Sequence, residues 1–258
     1  MKRALIKSQY GAPWSTEELI LAFDLYCRIP FQKTKANNSA VIDLANILGR
    51  TPASVARKLG NFGAFDPALR KVHIKGLTHT SKLDREIWEK FHSDWNGLVW
   101  EAIKLRRSFG GSRREVQGVT APTGPSEMIR LTKQRAHQAF FRDVVLSSYG
   151  ETCCITGLAV PECLVASHIV PWSENEQFRT DPTNGLCLSA TFDRLFDSGF
   201  MTITNNLLVR FSSSLVRSRS AVIQNLLCCY HNQPIRKPYR FLPSVERLEW
   251  HQINRFQK

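Results

Sequence analysis

Polar residues whose types suit hydrolytic chemistry lie close together in the stretch Leu164–Phe200. A neutral imidazole accepts a proton from water near pH 7, so His168 is the candidate general base. Asp193 offers hard oxygen ligands that suit Mg²⁺ or Mn²⁺ better than zinc, and Asp197 is a further candidate ligand. Asn184 does not titrate, and its amide suits orienting the base or completing a metal shell. A water-activating base beside a hard cation predicts hydrolysis of a phosphodiester.

The surrounding sequence predicts elements that bring these side chains together. A short apolar, β-branched run ends at Pro171, which predicts a strand with His168 near its C-terminal end. The turn residues before Gly185 include an Asn-Gly pair that accepts positive φ, and a second short strand follows. Ser189 is the expected cap of a helix that Gly199 ends. The predicted unit is therefore ββα.

Each of these residues also has a simpler explanation. His168 in an apolar strand could be a core histidine, and Asn184 could serve only as the left-handed residue of an Asn-Gly turn. Asp193 could be an ordinary exposed helix acid. Asp197 could pair with Arg194 instead of a metal ion.

The order His168, Asn184, Asp193, with gaps of sixteen and nine residues, resembles the HNH family of ββα-metal endonucleases. The resemblance is to the variant of that family in which the third position can be Asp. It extends over roughly Arg130 to Thr204, where separated blocks are similar to the nuclease domain of bacterial restriction-type HNH proteins. Those blocks read QAFFRDVVLSSYGETCCITGL, ASHIVPW and DPTNGLCLSATFDRLFDSGFMTI. The resemblance implies a Mg²⁺-dependent endonuclease acting on double-stranded DNA.

The sequence departs from the family pattern at two points. Many relatives carry Asp, Glu or His before the base as a further metal ligand, and here Ser167 stands at that position. Asp197 or waters are then the candidates to complete the metal shell. Many relatives also hold zinc through paired C-x-x-C motifs, but Cys154 is followed three residues later by Gly157. We therefore expect no structural zinc.

The N-terminal region predicts helices of a different kind. Ser15 with Glu18 forms a capping box, Asn37-Asn38-Ser39 opens a second helix, and Thr51-Pro52 opens a third. The run DLANILGRTPASVARKLGNF resembles the helix pair of helix-turn-helix DNA-binding domains. In that interpretation the third helix enters the major groove and exposes the residues Ser54, Arg57, Lys58 and Asn61. The alternative is a trihelical packing domain whose basic residues are only solvated.

Charge and composition indicate the partner and the domain organisation. The 258 residues carry a formal net charge of +13, which favours a polyanion such as DNA. An α+β protein of two domains is predicted: a helical DNA-binding domain over 1–107, a linker over 108–125 rich in glycine, and the nuclease domain over 126–258. An amphipathic helix is expected over Ser81–Arg107 and another over Ser126–Ser148. The second of these helices carries basic residues for phosphate contact, namely Arg130, Arg135 and Arg142.

Location and assembly follow from weaker signals. Neither a signal peptide nor an eighteen-residue apolar span is recognisable, and seven cysteines without a secretory context favour reduced thiols. We therefore expect a cytoplasmic protein that does not enter a membrane. A single base and metal cut one strand at a time, so we expect a homodimer on DNA, with the apolar helix Ser81–Ile103 or the aromatic tail as the shared surface. The alternative functions are a homing or phage-type HNH nuclease and a non-catalytic DNA-binding regulator.

Overall fold

A computed structural model describes residues 11–71, 77, 80–110 and 125–257. The chain divides into two units, Met1–Phe140 and Phe141–Lys258. The predicted α+β class is confirmed, with a helical N-terminal region and a mixed C-terminal unit. Most of the expected linker falls on residues 111–124, which lie outside the described residues.

The first unit is built from helices that begin at the predicted caps. The Ser15 hydroxyl accepts from the Glu18 amide and the Glu18 carboxylate accepts from the Ser15 amide, so the predicted capping box is confirmed. Asn38 caps the second helix and Thr51 caps the third, both as expected. The helices are α1 (Thr16–Arg28), α2 (Ser39–Leu48), α3 (Pro52–Gly63), α4 (Pro67–Lys71), α5 (Lys82–Phe91), α6 (Trp95–Ser108) and α7 (Pro125–Ser148), the last of which continues into the second unit.

Helix α1 lies at the centre of the first unit. Its side chains are buried from Glu18 to Cys27, and it contacts α2, α3, α5 and α6. Its Phe23 and Tyr26 rings pack against Phe62 of α3 and Trp88 of α5. Because α1 is buried on every side, other helices must pack around it.

The prediction of a single helix over Ser81–Arg107 is wrong. The segment forms α5, which ends at Phe91 with His92 as its C-cap, and α6, which Asp94 caps by accepting from the Gly97 amide at 2.8 Å. The apolar side chains of both helices are buried within the unit, which removes them as the expected dimer surface. They are Ile87, Trp88, Phe91, Trp95, Leu98 and Val99.

Two of the expected base-reading residues are buried instead of exposed. The Lys58 ammonium donates to both oxygens of Asp84 at 2.9 and 3.1 Å, and the Asn61 amide donates to the same carboxylate at 3.1 Å. Asp84 is fully buried, and it also completes the capping box of α5 with Ser81. The expected exposure of Lys58 and Asn61 is therefore wrong, because Asp84, which follows them by twenty-six and twenty-three residues, neutralises and covers that side of α3. Arg57 remains exposed.

The second unit contains the predicted ββα arrangement. Strand β1 (Leu164–His168) pairs antiparallel with β2 (Gly185–Ser189), and helix α8 (Ala190–Asp197) packs on both strands. The elements that follow are β3 (Met201–Ile203), β4 (Val209–Phe211), α9 (Ser213–Val216), α10 (Ala221–Tyr230) and α11 (Val245–Asn254). The last turns of α7 pack on the strand pair through Phe141 and Val145, which join the buried core of this unit.

The Asp84 carboxylate should dominate the stability of the first unit. Asp84→Ala leaves the Lys58 ammonium buried without a counter-charge, so we expect the free energy of unfolding to fall by about 3–5 kcal/mol. Urea denaturation measures the change. The matched control is Glu86→Ala, which removes an exposed partner of Lys82 on the same helix and should cost less than about 1 kcal/mol. Equal losses in the two variants would contradict the assigned role of Asp84.

Candidate active site

The His168 imidazole is clamped at the end of β1. Its ring stacks on Phe141, with centroids 3.6 Å apart and planes 10° from parallel, and Trp172 meets it edge-on at 5.6 Å. Across the strand pair, His168 lies opposite Gly185. A Cβ atom at Gly185 would come within 2.3 Å of Val145 and 3.0 Å of the Phe141 ring, so only glycine leaves room for α7 at this point.

A hydrogen bond defines which nitrogen of the ring is protonated. His168 Nε2 lies 3.1 Å from the carbonyl oxygen of Arg179. A carbonyl only accepts, so Nε2 carries the hydrogen and the neutral ring presents the lone pair of Nδ1. Nδ1 has no protein partner within the described ranges, which leaves it available to a water molecule.

Burial keeps this imidazole neutral. Desolvation lowers the pKa of His168 from 6.5 to about 4, and the bond to the Arg179 carbonyl offsets part of that effect. The ring is therefore uncharged at neutral pH, which is the state that can accept a proton.

The Asp193 and Asp197 carboxylates form an acidic pair on α8. They are four residues apart and lie on the same side of the helix, and the charge of Asp193 helps to raise the pKa of Asp197. Partial burial of the carboxyl group is the largest cause of the raised pKa in both residues. This holds for Asp197 as well, although Asp197 as a whole residue is more exposed than Asp193. Neither forms an ion pair within 4 Å in the described part of the chain, so the alternative pairing of Asp197 with Arg194 is not seen at that distance.

Ser167, on the strand that carries His168, lies beside Asp193. Its hydroxyl is buried and lies close enough to Asp193 to lower the pKa of that carboxyl group. The same hydroxyl makes no hydrogen bond of normal geometry to the residues described. Successive residues of a strand point to opposite faces, so Ser167 faces α8 while His168 faces α7.

The donors fit a hard divalent cation. Two carboxylates without ion pairs, beside an unsatisfied hydroxyl, provide the oxygen ligands with which Mg²⁺ and Mn²⁺ combine waters and phosphate oxygens. A cluster of three or more His, Cys, Asp or Glu side chains with metal-binding geometry does not occur among the described residues.

Asn184 occupies a different position from the one expected of a metal ligand. Its side chain is fully buried, where Oδ1 accepts from the Val170 amide at 2.9 Å and Nδ2 donates to the carbonyls of Val170 and Phe178. These bonds engage the amide with backbone groups, so its inclusion among the metal ligands is not supported by its contacts. Its φ is not positive and Gly185 is extended, so the expected left-handed Asn-Gly turn is also wrong.

The residues that hold the base were not recognised in the sequence. Phe141 lies within the block QAFFRD, but nothing in its spacing indicates a ring contact with His168. Arg179 acts through its backbone carbonyl, which no sequence pattern reports. Its side chain donates to the Trp172 carbonyl and to Glu176, and its guanidinium lies 5.1 Å from the Trp172 ring centroid.

The expected phosphate-binding residues differ in their availability. The Arg142 guanidinium donates to the backbone carbonyls of Leu164 and Pro161, so its visible contacts are structural. Arg135 is exposed on α7. The side chain of Arg130 lies outside the described residues.

Comparison with known families gives a match for part of the chain. Residues 153–204 match the model of the HNH endonuclease family, a range that contains both strands, α8 and the polar residues of the site. No curated protein matches the chain. None of the described helices is long and apolar enough to cross a membrane.

The buried histidines should make the fold sensitive to acid. His251 is 2% exposed, stacks on Phe196 and bonds to its carbonyl, and burial lowers its pKa from 6.5 to about 4. The unfolded chain binds the proton more tightly than the folded protein does. The contribution of His251 to the free energy of unfolding is therefore fully present above pH 6.5, and about 3 kcal/mol of it is lost as the pH drops towards 4. His251→Gln should flatten that pH dependence in urea denaturation between pH 7 and 4.5. A variant with the wild-type slope would contradict the burial of a neutral imidazole.

Proposed function

We propose that residues 153–204, which match the HNH endonuclease family, act as a nuclease on DNA, and that His168 is the general base of a metal-dependent phosphodiester hydrolysis. The observation that carries the proposal is the hydrogen bond from His168 Nε2 to the Arg179 carbonyl. It leaves the basic nitrogen Nδ1 unprotonated. A water held at Nδ1 is then in position to lose its proton as it attacks phosphorus.

The substrate itself strengthens this base. In the free protein, burial lowers the pKa of His168 to about 4, which makes the imidazole a weak acceptor. A DNA phosphate next to the ring brings a negative charge, and a nearby negative charge favours the protonated form of an imidazole. The base is therefore neutral before DNA binds and more basic once the scissile phosphate is in place.

Asp193 and Asp197 are the residues that would hold the metal ion. Burial raises the pKa of both carboxyl groups by more than the nearby Ser167 and arginine side chains lower it, and a bound cation would offset that effect. A bound Mg²⁺ or Mn²⁺ would supply stabilisation of the charge on the departing oxygen. Asn184 acts by holding Val170 and Phe178, and so shapes the segment that faces the base.

The first unit supports the recognition of DNA in this proposal. Arg57 is exposed on α3, and its guanidinium can donate two hydrogen bonds to a guanine edge. Lys58 and Asn61 bond to Asp84 and are buried, whereas Arg57 is exposed and can reach a base edge. The net charge of +13 adds a general attraction to the phosphate backbone.

The restriction role is a narrower proposal. It is supported by the similarity of the sequence blocks over roughly Arg130–Thr204 to bacterial restriction-type HNH proteins. A homing or phage-type nuclease would share the same chemistry, and mapping of the cleaved ends on methylated and unmethylated DNA distinguishes these roles. A non-catalytic regulator on an HNH scaffold would bind DNA without cutting it.

Loss of the imidazole should stop catalysis. We expect His168→Ala to reduce plasmid cleavage by about 10²-fold or more, because a positioned base contributes roughly 10²–10⁴-fold. DNA affinity, measured by fluorescence anisotropy, should stay within a factor of about two. The control is His231→Ala, which removes another imidazole of the same unit and should leave cleavage unchanged.

Two results would count against this assignment. Near wild-type cleavage by His168→Ala would remove the base from His168. Wild-type protein that binds DNA but cuts none with Mg²⁺ or Mn²⁺, and behaves identically with a chelator, would favour the non-catalytic regulator.

Arg57 should affect recognition more than chemistry. Arg57→Ala is expected to relax sequence preference by about 1–3 kcal/mol while metal-dependent cleavage of non-specific DNA persists. Competition between specific and random duplexes measures the change. The matched control is Arg70→Ala, since Arg70 donates to the Ala64 carbonyl at the surface of the same unit. Unchanged specificity in Arg57→Ala would assign recognition to another surface.

A further inference from the structure

The segment that faces the base is held from outside the matched HNH range. Residues 169–184, here called the base loop, connect β1 to β2 and include the carbonyl that binds His168. Arg247 of α11 donates to Asp181 Oδ2 at 2.6 Å and to Thr183 Oγ1 at 2.8 Å. Its guanidinium also lies 4.1 Å from the centroid of the Phe178 ring. One arginine thus contacts the base loop at three positions.

Those three positions lie on both sides of Arg179. Phe178 precedes Arg179 directly, and Asp181 follows it by two residues. The Asp181 carboxylate also accepts from the Thr183 amide and starts the short 3₁₀ turn Pro182–Asn184. Movement of the Arg179 carbonyl therefore requires a change in residues that Arg247 holds.

The ion pair at this point is sheltered. The Arg247 and Asp181 side chains are 12% and 21% exposed, and the guanidinium satisfies a carboxylate, a hydroxyl and a ring face together. A planar guanidinium can make this set of contacts, whereas a lysine ammonium provides a single point charge without the fork. The geometry therefore depends on arginine in particular, and positive charge alone does not reproduce it.

Helix α11 also contacts α8, the helix that carries Asp193 and Asp197. His251 lies one turn after Arg247, stacks on Phe196 with centroids 3.7 Å apart, and bonds to the Phe196 carbonyl and to Thr202. Phe196 belongs to α8, which carries Asp193 and Asp197. Helix α11 therefore contacts both the base loop and the helix of the carboxylates.

We propose that Arg247 is a positioning residue for His168, which it serves by holding the Arg179 carbonyl against Nε2 through the base loop. The inference rests on the proposed function because it treats His168 as the base. Its immediate consequence is structural: with Arg247 in place, the His168 ring keeps one tautomer, with hydrogen on Nε2 and the lone pair on Nδ1.

The experiment compares Arg247→Ala and Arg247→Lys with Arg217→Ala, which removes an equal charge from an exposed arginine bonded to Ser213. Nitrogen NMR of histidine-labelled protein at neutral pH without DNA reports the His168 tautomer, with its signals assigned from their loss in His168→Ala. We expect the wild type and Arg217→Ala to show the single Nε2–H form. Arg247→Ala should show both tautomers, and Arg247→Lys should be intermediate.

Kinetics test the functional consequence. Arg247→Ala should lower kcat at least tenfold with KM changed less than twofold, while Arg217→Ala keeps the wild-type kcat. Thermal melting establishes that each variant is folded. If Arg247→Ala does not fold, Thr183→Val replaces it. This variant removes one of the two hydrogen bonds of Arg247, together with the bond from the Thr183 hydroxyl to Asp181, at similar volume, and should give a smaller change of tautomer and kcat in the same direction.

Each outcome decides the inference. A folded Arg247→Ala, or the Thr183→Val variant in its place, that retains the single Nε2–H form and the wild-type kcat overturns it. If the wild-type protein cuts no DNA, the proposed function fails, and the tautomer measured without DNA still decides the positioning role of Arg247.

Discussion

The hydrogen bond between the His168 imidazole and the Arg179 carbonyl is the contact on which the rest of the site depends. It selects the tautomer, and the selected tautomer determines which ring nitrogen can take a proton. The ring must also lie flat against Phe141, which brings α7 close to the strand pair. That approach leaves no space for a side chain opposite the base, and Gly185 meets the requirement. A glycine that looks like a turn residue in the sequence is thus required by the packing of α7 against the strand that carries His168.

The two faces of β1 keep incompatible charges apart. A carboxylate pair directly beside an imidazole would raise the pKa of the ring and favour its protonated form before any substrate binds. Here Ser167 faces the acidic pair while His168 faces the aromatic ring of Phe141, because consecutive strand residues point in opposite directions. Burial against apolar groups then holds His168 neutral. The carboxyl groups of Asp193 and Asp197 form no ion pair within 4 Å among the described residues, although Arg194 lowers the pKa of both and thereby offsets part of the effect of burial. Proton acceptance and cation binding can therefore occur at the end of one strand.

Helix caps and the order of strands and helices were predictable from short stretches of sequence. The features that the sequence did not predict depend on contacts between residues far apart in the chain. The caps at Ser15, Asn38 and Thr51 and the ββα order were predictable because each depends on neighbours within a few residues. The burial of Lys58 was not, because its partner Asp84 lies twenty-six residues later in the chain. The role of Arg247 was equally hidden, since its contacts span more than sixty residues.

Some of the residues that position His168 and its neighbours lie outside the matched range 153–204. The ring beneath the base comes from Phe141 before that range, and the arginine that holds the base loop comes from α11 after it. Helix α11 also closes on α8 through His251, so the base loop and the acidic helix share one support. Because the geometry of a site is only as precise as the groups that restrain it, the unit that determines this geometry is the packed C-terminal unit and not the matched range alone. The ββα motif supplies the reactive side chains, and the elements on either side of it supply their orientation.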